Sequence, residues 1–140
     1  MALDNLFNIA GSALNAQTAR MNATASNLAN AGAVAASDKD AFRAKRTVFK
    51  TIMEELGSTT SANTGGVKIS GIKDDPKPIA RMSDPGNPSA DKDGYVYLSN
   101  VNEMTEMVEM MAAARSYQNN VEVVNTARQL MMRTLDIIKS

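Results

Sequence analysis

The chain has 140 residues, fifteen basic against fifteen acidic side chains, and neither Cys nor His. That length allows one modest domain and excludes two large cores, while zero formal net charge removes the electrostatic footprint of a nucleic-acid binder. With no imidazole and no thiol, the commonest general base, the disulfide and the thiolate metal site are excluded as well.

The chain start does not read as a secretory leader, because Asp4, Asn5 and Asn8 interrupt any apolar core and the first basic residue is Arg20. No stretch approaches the roughly 20 apolar residues that span a bilayer. The expectation is a cytosolic protein, or one exported without a cleaved signal peptide.

From Leu3 to Leu28 residues recur at spacings of four and three: Leu3, Phe7, Ala10, Leu14, Gln17, Met21, Thr24 and Leu28. This is a helical heptad seam interrupted by Gln17 and Thr24, Ala-rich and free of Pro, with Asp4 placed to suit the dipole of its first turn. Gly32 is its expected stop.

Composition then changes. Residues 57–66 read GSTTSANTGG, a polar loop. Val67 to Ile72 alternates apolar residues and predicts a short strand, Pro76, Pro78, Pro85 and Pro88 forbid regular helix, and Tyr95 to Leu98 predicts a second strand after Gly94.

The last forty residues carry a three-four alternation through Met107, Met110, Ala114, Tyr117, Val121, Val124, Arg128, Met131, Leu135 and Ile138, in which only Arg128 is polar. Such a period predicts a long helix seeking a coiled-coil partner, and the stripe Met104, Val108, Met111 widens its first turns. Asn100 or Asn102 would cap it.

The fold class expected is therefore mainly α: long N- and C-terminal helices packed as a coiled-coil-like hairpin, with a small loop-rich β insert between them. Residues 1–32 together with 100–140 would form the helical part and 33–99 the loosely built middle. In an antiparallel hairpin, matching the two seam interruptions sets Gln17 against Arg128, Leu14 against Met131, Met21 against Val124 and Leu28 against Tyr117. Unpaired buried donors in any other heptad register would cost roughly 1 to 3 kcal/mol.

Three motifs invite chemistry and are better read otherwise. Ser89, Asp91, Asp93 and Gly94 resemble the start of a calcium loop, but its twelfth position is Asn100 instead of a bidentate Glu, so an acidic turn is expected. Glu103, Glu106 and Glu109 share a helical face with no nucleophile or oxyanion donor nearby and are read as solvated. The methionines Met104, Met107, Met110 and Met111 lie on apolar stripes and are read as packing, not as soft-metal ligands.

Three stretches in order resemble the flagellar axial family of rod and hook subunits, on its basal-body proximal-rod branch. They are IAGSALNAQTARMNATASNLANAGA (residues 9–33), DPGNPSADKDGYV (84–96) and NVNEMTEMVEMMAAARSYQNNVEVVNTARQLMMRTL (100–135), with FRAKRTVF (42–49) extending the match. The resemblance implies a non-enzymatic structural subunit with no cofactor or metal. Such a subunit leaves through the flagellar type III export apparatus and resides in the periplasmic rod of the basal body. There it assembles helically with copies of itself and other rod proteins, meets membrane-ring and adaptor proteins at the rod base, and carries torque towards the hook. Neither nucleic acid nor a membrane span belongs to that picture.

The expected assembly interface is the two seams: Leu3, Phe7, Leu14, Gln17, Met21 and Leu28 on the first helix, and Met107, Met110, Tyr117, Val121, Val124, Arg128, Met131, Leu135 and Ile138 on the last. A cytosolic helical adaptor or export chaperone is the alternative, although it would not need the Pro-rich insert. A wall-degrading hydrolase has no His, Cys or convincing carboxylate pair to work with.

Overall fold

The computed structural model describes residues 2–52 and 65–139, with side chains described from Asp4 to Ile138 within those ranges. Helix α1 spans Ala2–Ala29. It ends where the Asn30 side-chain amide turns back to donate to the Ser26 carbonyl at 2.8 Å, satisfying one of the last orphan carbonyls just before Gly32. Helix α2 spans Glu103–Lys139, 37 residues. Of the two candidate caps it is Asn102 whose side-chain oxygen accepts from the Thr105 backbone N–H at 3.0 Å.

Five strands lie between the helices: β1 (Val34–Ala35), β2 (Lys45–Thr51), β3 (Val67–Asp74), β4 (Arg81–Ser83) and β5 (Tyr95–Leu98). They form two antiparallel sheets, one ordered β1-β5-β4 and the other a β2-β3 pair. In the first, Met82 pairs with Val96, which is wholly buried. The loop from β4 to β5 is held by Asp91, whose carboxylate accepts from the backbone N–H groups of Asp93 at 2.9 Å and Tyr95 at 2.8 Å, an Asx-type turn. Gly94 closes that turn at φ 78°, where an added Cβ would lie 3.1 Å from the Pro85 side chain.

Helix α1 packs on α2 on one side and on β2 and β3 on the other. Residues low in α1 meet residues high in α2, since Leu6 lies with Val123, Ala127 and Leu130 while Asn27 bonds Glu106, so the terminal helices run antiparallel. The buried α1–α2 contacts are small: Ala10, Ala113 and Ala127 bring the helices close but remove little apolar area each. Ser12 Oγ accepts from the Val67 N–H at 3.1 Å and fastens β3 to α1.

The expectation of a mainly α hairpin with a loose insert is corrected here. Helices do lie at both ends, but the middle builds two sheets, and one of them covers a second face of α1. Hydropathy hid β2 because its sequence KRTVFKT carries three cations, and β1 and β4 because they are two and three residues long. The polar loop expected at 57–66 falls, for residues 57–64, outside the described residues.

Candidate functional site

Where the end of α1, the start of β2 and the start of α2 converge, polar side chains replace an apolar core. The Asn27 side chain behaves like a neighbouring strand: its oxygen accepts from the Lys45 N–H at 2.7 Å and its amide donates to the Lys45 carbonyl at 3.0 Å. That amide also donates to Glu106 Oε2 at 2.9 Å. Both residues are fully buried. The other Glu106 oxygen lies 2.7 Å from Arg46 Nη1 in an ion pair, and Arg46 Nε donates to Asp75 Oδ2 at 3.2 Å.

A second Asn completes the lock from the far side. Asn100 Oδ1 accepts from the Ala44 N–H at 2.7 Å, and its amide donates to the carbonyls of Asp75 and Lys77, each at 3.1 Å. Four segments distant in sequence are thereby joined through backbone groups, all of them part-buried except the exposed Lys77 carbonyl.

Charge follows the same geometry. The backbone N–H of Lys77 holds the Asp75 carboxyl below its ordinary value of 3.8, with Arg46 and Lys77 charges adding against the opposing effect of burial. For Arg46, burial alone would lower the pKa, but the charges and hydrogen bonds of Glu106 and Asp75 outweigh it and raise it. A carboxyl whose native pKa is depressed contributes stability that is present above the unfolded value and lost as pH falls through the native one. Stability should therefore drop as pH is lowered below 3.8, and Asp75→Asn should flatten that part of the curve. Equal acid slopes for the two proteins in denaturant titrations would contradict it.

The expected interface residues divide. Phe7, Leu14, Gln17, Met21 and Leu28 are half-buried along α1, and Met110, Tyr117, Val121, Val124 and Met131 are half-buried along α2, whereas Met107, Arg128, Leu135 and Ile138 are exposed. The Leu3 side chain lies outside the described residues.

On α2 the face against α1 runs through Glu106, Met110, Ala113, Tyr117, Asn120, Val124, Ala127 and Met131, every one buried or half-buried. It shares Met110, Tyr117, Val124 and Met131 with the expected seam, but the alternate rungs sit one residue earlier.

The register also differs. Asn27 faces Glu106, and Arg20 pairs with Glu109, where the sequence argument set Leu28 against Tyr117. That is a slide of about two heptads. Gln17 and Arg128 do not meet: Arg128 is exposed, and Gln17 Oε1 is buried without a hydrogen-bond partner. The polar pair that sets register is Asn27 with Glu106. Of the three glutamates read as solvated, Glu103 is exposed, Glu109 is ion-paired and Glu106 is wholly buried. The legible signal was the strict seven-residue spacing of Glu106, Ala113, Asn120 and Ala127, whose small or polar side chains a search for apolar rungs passes over.

Residues 7–34 match a family model described as flagella basal body rod protein, and residues 92–137 match one for the C-terminal part of flagellar basal body rod FlgEFG proteins. Over 137 residues and 98% of both chains, the sequence is 47% identical to the flagellar basal-body rod protein FlgC of Yersinia enterocolitica. It is 47% identical over the same share to FlgC of Escherichia coli O6:H1, and 46% identical to that of Salmonella typhimurium. The two model matches contain Asn27 and Glu106, one partner of the buried pair each.

Proposed function

The chain belongs to the flagellar basal-body rod protein family, and we propose that it is a subunit of the proximal rod, assembling helically with copies of itself and other rod proteins to carry torque towards the distal rod and hook. Its relatives are named as flagellar basal-body rod proteins, and in this reading the chain is a structural component of the basal body. Among the described residues no helix is long and apolar enough to cross a membrane.

One observation carries the assembly reading. The longest element, α2, keeps large apolar side chains exposed along its length, among them Met104, Val108, Met111, Leu130 and Ile138. A monomer gains nothing from that surface, whereas neighbours in a tube would bury it. In this reading residues 1–32 with 100–140 make the inner layer, 33–99 face outward, and the rod base meets membrane-ring and adaptor proteins after delivery by the type III export apparatus. An affinity-tagged copy should remain with the rod and hook when the membrane rings are stripped from isolated basal bodies. Loss of the protein with the rings would overturn the proposal.

A further inference from the structure

With neither Cys nor Trp, the ten methionines of this chain are the side chains that a mild oxidant reaches first, and no thiolate competes with them. Of the four methionines read from the sequence as packing, only Met110 turns towards α1, where it is half-buried. Met104, Met107 and Met111 are exposed at 72%, 48% and 66%. Met104 and Met111 stand one heptad apart, about 10 Å along the axis. At about 100° per residue they lie roughly opposite Glu106 and Ala113, the wholly buried residues of the α1–α2 contact.

The same helix carries its own control. Met110 and Met111 are neighbours in the chain, as are Met131 and Met132, and in each pair the first is half-buried on the face against α1 while the second is exposed. Unfolded, the two sulfurs of a pair would meet an oxidant alike, so a difference between them comes from the fold. Met82 and Met132 are exposed too, but singly; among the described residues only the start of α2 gathers exposed thioethers on one face.

We infer that Met104 and Met111 form a reversible oxidation site, converted to sulfoxides by hydrogen peroxide with no loss of fold. The thioether sulfur attacks one peroxide oxygen and gives up two electrons. An S–O bond forms, the O–O bond breaks, and the proton on the transferred oxygen passes to the leaving one, which departs as water. The fold survives because neither side chain enters the α1–α2 contact. The surface changes, since each sulfoxide puts a polar acceptor where an apolar, flexible group stood, and the start of α2 turns from apolar to polar. A methionine sulfoxide reductase reverses the step: the oxygen leaves as water and a dithiol is oxidised to a disulfide. The chain has no thiol of its own, so that reductant is external. The site goes beyond the assembly reading and belongs to the free chain whether or not that reading holds.

The full-length protein, folded and in denaturant, would be treated with dilute hydrogen peroxide, and the sulfoxide at each methionine followed by peptide mass spectrometry. Relative to the unfolded chain, Met104 and Met111 should keep their rates within about twofold, whereas Met110 and Met131 should slow at least about fivefold. The oxidised protein should melt cooperatively within about 3 °C of the untreated protein. It should also leave a hydrophobic-interaction column earlier. Carrying Met104→Leu together with Met111→Leu should remove most of that shift in elution. Methionine sulfoxide reductases for both epimers, supplied with dithiothreitol, should restore the original mass and elution. Equal rates at Met110 and Met111 in the folded chain, or loss of the cooperative melt on oxidation, would overturn the inference. So would a shift in elution undiminished in the leucine variant, or sulfoxides that the reductases leave in place.

Discussion

Asn27→Ala should lower the free energy of unfolding by about 3 kcal/mol, at roughly 1 kcal/mol for each hydrogen bond removed. The Asn27 side chain makes three such bonds, to the Lys45 N–H, the Lys45 carbonyl and Glu106, inside a fully buried site. Alanine supplies no replacement for any of the three. In a chain this size the loss corresponds to a fall in Tm on the order of 10 °C. Asn27→Asp should be no better. Its carboxylate can still accept from the Lys45 N–H, but it cannot donate to the Lys45 carbonyl and it sets a second negative charge against Glu106. A denaturant melt in which either variant loses less than about 1 kcal/mol would mean that the contacts of Asn27 are replaceable.

The same residue shows what could and could not be read beforehand. Both helices follow from periodicity and from the absence of Pro, and Val67 and Tyr95 mark strand starts because their runs alternate between turn residues. Strand β2 was opaque. Its Arg46, though part-exposed, pairs with a buried carboxylate on α2, a relation between residues sixty positions apart that no local pattern carries. Register failed for a related reason. Matching Gln17 to Arg128 assumed that buried polar groups on two helices satisfy one another, whereas Asn27 spends two of its three bonds on the backbone of β2. A third element entered the pairing problem, and the offset between the helices followed from it. Asn27 and Asn30 lie within the stretch that carried the family resemblance, and their chemistry is now specific: one joins the sheet and the other caps α1.

Ala113→Asp should be the most damaging single change on α2. Ala113 has no exposed surface and sits between Met110 and Tyr117 on the face pressed against α1, so an aspartate there enters the helix interface with its charge unpaired. Such burial costs several kcal/mol. The contact it disrupts is lined by alanines, which contribute little area with which to absorb the loss. Purified protein should lose cooperative unfolding, and cells carrying the variant should not swim. Val121→Asp is the informative comparison. Sequence periodicity places Val121 on the seam, but the structure leaves it half-buried beside Asn120, with room for a carboxylate to turn towards solvent. It should therefore keep a cooperative transition and cost at least about 2 kcal/mol less than Ala113→Asp. Its effect on swimming then separates two roles, because a folded but non-motile Val121→Asp protein would place that residue against a neighbouring subunit. If Val121→Asp unfolds the purified chain and Ala113→Asp does not, the face of α2 turned towards α1 is the one the apolar periodicity predicted, and the seam through Glu106, Ala113, Asn120 and Ala127 is wrong.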